Sequence, residues 1–149
     1  MTLNAMPGHL IRRLHQISTA VFSERLKAEG IDMTSVQFAA LTTLRDHPGV
    51  DQATLAQLIA YDRATIGGVV DRIERKGWVT REVNESDRRA RNVWLTPNGK
   101  AVLDAVSPIV ETLQETIIDP LTPEERATFI ALAQKAVAET GGGGFDGSA

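Results

Sequence analysis

Arg88, Arg89 and Arg91 fall within four residues, in the stretch SDRRARNVWLT at 86–96, just behind Asp87 and just ahead of an alternating segment. Positive charge gathered this tightly suits the holding of anions, phosphates among them. The rest of the chain does not share it. The 149 residues carry a formal net charge of -3, yet 63–100 holds nine Lys or Arg against five Asp or Glu, and the remainder holds seven against fourteen. A basic segment on an acidic body reads either as clustering on a solvated surface or as a local anion-binding face.

What is missing excludes other chemistry. The chain has no cysteine, so disulfides, thiolate metal sites and thiol redox sensing are closed to it. Its histidines, His9, His15 and His47, match no metal-ligand spacing, and no metal or other cofactor is expected. No glycine-rich phosphate loop and no serine elbow is present, so an enzyme is not expected. The N-terminal MTLNAMPGHLIRRLHQ lacks the apolar run of a signal peptide. No apolar stretch approaches the ~18 residues of a membrane span. The expectation is a cytoplasmic protein with no membrane partner.

The elements that must carry the arginines follow from periodicity. A first helix is expected over 9–29, with Leu10, Leu14, Ile17, Val21 and Leu26 on its apolar side and Gly30 at its end. A second begins at Thr34, which has capping-box spacing to Gln37, and uses Val36, Ala40, Leu41 and Leu44. Asp51 starts a short third helix with Leu55, Leu58 and Ile59 inward. After a tight turn at Ala60-Tyr61, Asp62 starts a fourth, DRATIGGVVDRIERK, closed by Gly77. Two helices joined by a short turn form a helix-turn-helix. The period then changes to two through Trp78-Val83 and again through Asn92-Leu95, with Asn84-Glu85-Ser86-Asp87 as a turn. The arginine cluster therefore sits at the tip and return edge of a β-hairpin, a wing.

Thr96 and Pro97 open a fifth helix, which Pro108 should bend or divide. Thr122-Pro123-Glu124-Glu125 opens a sixth. The expected fold is mainly α with a small β-wing, a winged helix-turn-helix flanked by N- and C-terminal dimerisation helices. The boundaries are 1–30 for the first dimerisation helix, 31–96 for the DNA-binding lobe, 97–140 for the C-terminal dimerisation helices and 141–149 for a disordered tail. The terminal helices are too apolar for the small lobe to cover, so a symmetric dimer is expected.

These residues resemble the MarR family of bacterial transcription regulators over about 9–138. The resemblance rests on the helix order, on DRATIGGVVDRIERKGWVTRE as helix plus first wing strand, and on DRRARNVWLTPNGK as wing return into the next helix. Asp87 and Arg89 as Asp-x-Arg, followed by Leu95-Thr96 and Gly99, make its most specific element. The resemblance implies a homodimer, probing double-stranded DNA with one winged helix per subunit, and ligand-controlled binding to a palindromic operator. It also makes Arg89 the arginine that enters the flanking minor groove, whose narrow A-tract form attracts such a side chain.

In a helix-turn-helix the first turns of the second helix face base edges. Those positions are Arg63, Ala64, Thr65, Gly67 and Gly68. Arg63 suits a guanine or a surface ion pair; Thr65 suits a base, a phosphate or the helix cap. Gly67-Gly68 weakens a helix interior, which calls for close approach either to DNA or to a neighbouring helix. Arg72 and Arg75 extend the basic face, and Arg88 and Arg91 suit phosphates. Asp87 reads as a brace paired with Arg72 or Arg89, and Asp71 as part of the same brace.

The family commonly answers to small aromatic acids or related anions. Candidate contacts are His9 and Arg13, four apart on one helix face, with His15, and Phe38 as a wall. The alternatives are a polar surface, a dimer contact and an ordinary core position. PGHLIRRLHQ is similar to regulators of aromatic catabolism. Against the repressor stands a second reading, a winged-helix protein-interaction module that does not touch DNA and has no need of the wing arginines.

Overall fold

The computed structural model describes residues 1–141, with side chains described through Ala138. The tail expectation for 142–149 lies outside the described residues, and Gly141, assigned to that tail from the sequence, closes the last helix. The chain runs α1 (Pro7–Ala28), α2 (Ser35–Asp46), α3 (Gln52–Leu58), α4 (Arg63–Arg75), β1 (Val79–Val83), β2 (Arg91–Leu95), α5 (Pro97–Ile117) and α6 (Pro123–Gly141). It is mainly α with a two-stranded antiparallel wing, as the patterning indicates.

Local chemistry explains where the helices start. Thr34 and Gln37 make both bonds of a capping box, each at 3.2 Å. Asp51 and Asp62 accept the Thr54 and Thr65 backbone N–H at 2.8 Å, and Thr96 accepts that of Gly99 at 3.0 Å. Thr122 and Glu125 form a second capping box at 2.9 and 3.2 Å. Gly77 ends the recognition-helix segment in the left-handed region, φ 78°.

The core lies where α2, α4 and α5 meet, around Leu41, Leu44, Ile66, Val70, Ile73, Leu103 and Val106. Pro108 does not divide α5. It faces solvent, while Leu103, Val106, Val110 and Leu113 are buried on either side of it and hold both halves against the core. In α3 the buried pair is Leu55 and Ala56; Leu58, expected inward, is exposed. A seven-residue helix turns only about twice, so its periodicity does not fix which side faces in.

α1 departs from its expected stripe in a telling way. Only Phe22 and Leu26 are buried, while Leu10, Ile11 and Ile17 are exposed. Phe129, Ile130 and Leu132 of α6 are exposed as well. The first part of the α1 stripe and the apolar side of α6 are thus left uncovered by this chain's own lobe, while Val21 and Leu26 pack on it.

β1 and β2 pair from Val79↔Leu95 to Val83↔Arg91. The other edge of β2 takes the α2–α3 connection. Gly49 N–H donates to Val93 O at 3.0 Å, Val93 N–H donates to Val50 O at 2.9 Å, and Asp51 bridges Asn92. The wing is therefore stitched to the start of the helix-turn-helix. Its far end is stitched to α5, where Thr96 N–H donates to Trp78 O at 3.0 Å and the Thr96 hydroxyl to Gly77 O at 2.6 Å.

Gly99 lies against that junction. A Cβ there would overlap the Trp78 carbonyl, a backbone group already held by Thr96. Alanine favours a helix by about 1 kcal/mol over glycine. The overlap opposes it with a group that cannot rotate away, and overpacking of this kind costs about 1–3 kcal/mol or more. Gly99→Ala is expected to lower stability in urea unfolding, whereas Gly8→Ala, with open space around it, is expected to be neutral or stabilising.

Candidate nucleic-acid interface

The first two turns of α4 divide cleanly. Ile66, Val69 and Val70 are buried, while Arg63, Ala64 and Thr65 are exposed and Gly67 and Gly68 are half-buried. No neighbour requires either glycine. A Cβ at Gly68 would meet nothing within 4 Å, and one at Gly67 only the Gln52 amide nitrogen at 3.6 Å, an ordinary contact. Close packing of the helix pair is thereby removed as the reason for them.

Two Asx turns build the wing tip. Asn84 Oδ1 accepts the backbone N–H groups of Ser86 and Asp87 at 2.9 and 3.1 Å. Asp87 Oδ1 accepts the Arg89 N–H at 3.1 Å, and Asp87 O accepts the Ala90 N–H at 3.0 Å. Across the strands Asn84 Nδ2 donates to Asn92 Oδ1 at 3.2 Å. The turn is closed by these short side chains, so Arg88 and Arg89 are left exposed at its apex.

The expected brace is corrected. Asp87 makes no ion pair with Arg72 or Arg89 among the described residues; it holds the Arg89 backbone instead. Asp71 pairs with Arg81, at 2.7 Å, a residue outside the expected brace. Arg81 also donates to Glu74, Nη2 to Oε1 at 2.9 Å and Nε to Oε2 at 3.2 Å, and its Nη1 reaches Gln52 Oε1 at 3.4 Å. One guanidinium from β1 thus clamps α4 and α3 to the wing. Arg81 was missed because its partners lie in other elements; only the i,i+3 spacing of Asp71 and Glu74 hints at a shared cation.

Six arginines of the basic segment stay outside any such clamp. Arg63, Arg72, Arg75, Arg88, Arg89 and Arg91 are exposed, and none joins an ion pair among the described residues. Arg63, Arg89 and Arg91, from the recognition helix and the wing, line one cleft of about 210 Å³ together with Asp51, Gln52, Ala53 and Ala90. The lone carboxylate there is engaged, since Asp51 takes both the N–H and the hydroxyl of Thr54.

Comparison with known proteins agrees with this geometry. The profile of the MarR family matches residues 33–90. The transcriptional regulator HosA of Escherichia coli O157:H7 is 34% identical over 135 residues, 91% of this chain and 97% of HosA. The HTH-type transcriptional repressor NicR of Pseudomonas putida is 37% identical over 130 residues, 87% of this chain and 81% of NicR. The chain belongs to the MarR family. The structure of Bordetella bronchiseptica BpsR, whose DNA binding is regulated by 6-hydroxynicotinic acid, superposes with a TM-score of 0.82 at 29% identity, covering 91% of this chain and 96% of BpsR. The protein is a MarR-family transcriptional regulator with a winged-helix fold.

The candidate effector contacts of this MarR-family chain do not converge within the chain. His9 is half-buried, and Arg13 and His15 are exposed, on the first half of α1. Phe38 packs against Phe22, ring centroids 6.0 Å apart, which lies seven residues beyond His15. That separation is about 10 Å of helix rise. One turn from Phe38, the Thr42 hydroxyl is buried without a hydrogen-bond partner among the described residues, a feature no sequence pattern announces. No helix of the described residues is long and apolar enough to cross a membrane.

The clamp gives a pH-dependent prediction. Hydrogen bonding to Arg81 foremost holds the Glu74 carboxyl below its ordinary 4.5. Its contribution to stability is therefore complete above that value and is lost as pH falls through the lower folded-state value. Arg81→Met is expected to cost about 1–2 kcal/mol at neutral pH, with the partial exposure of the acids limiting the loss. The gap from the parent should narrow on acidification through and below the ordinary carboxylate range, as measured by urea unfolding at stepped pH.

The glycine pair gives a second prediction. With open space at both sites, Gly67→Ala and Gly68→Ala are each expected to stabilise the free protein by about 0.5–1 kcal/mol, read as a rise in thermal midpoint.

Proposed function

We propose that this regulator is a homodimeric repressor that binds a palindromic operator and is released by a small aromatic acid or related anion. The observation that carries the DNA reading is the set of unpaired arginines that recognition helix and wing turn toward one cleft. α4 enters the major groove, and its glycine pair lets the helix backbone approach the duplex. Arg89 enters the flanking minor groove, and Arg63, Arg72, Arg75, Arg88 and Arg91 serve base edges and phosphates. Residues 31–96 form the reading lobe, and 1–30 and 97–140 the dimerisation helices. The exposed apolar stripes of α1 and α6 favour the dimer, because a monomer leaves them in water.

Support for the effector comes from the relatives. NicR is a repressor, and BpsR answers to 6-hydroxynicotinic acid. On this reading the acid binds where the dimer brings α1 and α2 of the two subunits together. His9, Arg13 and His15 offer its carboxylate N–H donors. Phe38 and the unsatisfied Thr42 hydroxyl offer a ring face and a polar contact.

Recovery of sheared genomic fragments at moderate salt, followed by sequencing, tests the reading directly. Enrichment of a palindrome with half-sites about one helical turn apart is expected. No enrichment across a salt series, with and without aromatic acids, would remove DNA binding in favour of the interaction module. On the recovered operator, Arg89→Ala is expected to weaken binding by about 1–3 kcal/mol. Gly67→Ala and Gly68→Ala should weaken it too, despite their gain in stability. Unchanged affinity in a folded Arg89→Ala protein would take the wing out of the mechanism.

A further inference from the structure

The same cap is used twice in the helix-turn-helix. At the start of α3, Asp51 accepts the Thr54 N–H through Oδ1 and the Thr54 hydroxyl through Oδ2, at 2.8 and 2.7 Å. At the start of α4, Asp62 does the same for Thr65, at 2.8 Å for both bonds. The chemistry is identical and the setting is not. The first cap is half-buried against β2, whereas the second is exposed where α4 begins.

We propose that Thr65 determines base specificity as an acceptor-only reader, selecting adenine or cytosine over guanine or thymine at the base it faces. This rests on the DNA-binding reading above. A threonine hydroxyl has one proton and two lone pairs, and an ionised carboxylate can only accept. The Thr65 proton is therefore committed to Asp62, and only lone pairs remain to face outward. The Thr65 N–H foremost, and its hydroxyl next, hold the Asp62 carboxyl below its ordinary 3.8, so Asp62 stays ionised at neutral pH.

In the major groove adenine N6 and cytosine N4 are donors, whereas guanine O6 and N7 and thymine O4 are acceptors. An outward lone pair meets a donor on an amino base and another lone pair on a keto base. The other acceptor at this end of α4 is Asp62 itself, each of whose oxygens already takes one bond from Thr65, and the Thr65→Val comparison below separates the two. Over 63–68 the sequence is Arg-Ala-Thr-Ile-Gly-Gly, with Ile66 buried, so Arg63 and Thr65 are the two polar side chains of this stretch. Arg63 is donor-only and Thr65 acceptor-only. The next acceptors along the helix, Asp71 and Glu74, are turned to Arg81.

Asp62→Asn separates this role from capping. Asparagine caps a helix about as well as aspartate. Its Oδ1 can keep the Thr65 N–H while its amide donates to the hydroxyl, releasing the hydroxyl proton outward. Binding selection on a randomised half-site, followed by sequencing, is expected to show about tenfold preference for amino over keto bases at one position in the parent. In Asp62→Asn that preference should vanish or invert. If the two proteins share one base preference, or the parent prefers a keto base at every position that Thr65→Val alters, the proposal fails.

A second measurement does not depend on the cap. Replacing the contacted adenine by purine, which lacks the 6-amino group, or the contacted cytosine by 2-pyrimidinone, which lacks the 4-amino group, should weaken the parent about as much as a keto base does. The same replacement should leave Thr65→Val unchanged. Equal loss in both proteins would overturn the proposal. A parent that enriches no sequence at all would instead defeat the DNA-binding reading, so the two failures are distinguishable.

Discussion

Everything this head turns outward depends on one cation turned inward. Arg81 takes Asp71 and Glu74 of α4 in charge-assisted bonds and reaches Gln52 of α3 from its seat on β1. Its first effect is mechanical, because the wing cannot swing without breaking contacts to both helices of the pair. Its second is electrostatic. Asp71 and Glu74 are the only acids of α4, and both are paired with Arg81. Arg72 and Arg75 on the same helix are thereby left without a carboxylate, and the outer face keeps a positive charge that an acidic chain would otherwise neutralise.

The distribution of charge follows from that arrangement. The arginines of the wing tip stay exposed because short side chains, Asn84 and Asp87, close the turn through backbone bonds. Asp87 is therefore acidic without cancelling Arg89. It shapes the loop that displays its neighbour, which is how a carboxylate can sit inside an anion-binding element. Elsewhere the acidic body gives a polyanion few other places to adhere, so the basic segment sets the orientation of approach.

Much of the fold could be read from sequence because it is specified locally. Thr34 with Gln37, Asp51, Asp62, Thr96, and Thr122 with Glu125 sit at helix starts and bond within three residues of themselves, so spacing alone reveals them. The wing followed from a change of period. What sequence could not yield was anything that joins distant segments. The Arg81 clamp spans 29 residues to Gln52, and Lys76 bonds Asp32 O at 2.6 Å across 44. The place of Arg88, Arg89 and Arg91 at a hairpin tip could be read locally, yet the convergence of Arg89 and Arg91 with Arg63 on a single cleft needed the wing placed against α3. The α1 stripe could be read, but not which of its residues this chain covers: Leu10 and Ile17 are exposed and Leu26 is buried, although all share the same helical spacing.

The same long-range bonds constrain how such a head can be controlled. Lys76 ties the end of α4 to the α1–α2 connection and lies 4.6 Å over the Trp78 ring. Thr96 and Gly99 lock the wing to the start of α5. Recognition helix, wing and the roots of α1 and α5 thus form one braced body, and reshaping it would mean breaking several charged and backbone bonds together. Under the proposed function, an effector between the long helices has a less costly route. Two rigid heads fit half-sites about 34 Å apart only at one separation and tilt. A small rotation of each head about the dimer helices leaves its internal bonds intact and still moves the two reading helices out of register with the operator. The stiffness conferred by Arg81, Lys76 and Gly99 is what would carry a change at the dimer helices to the DNA undiminished.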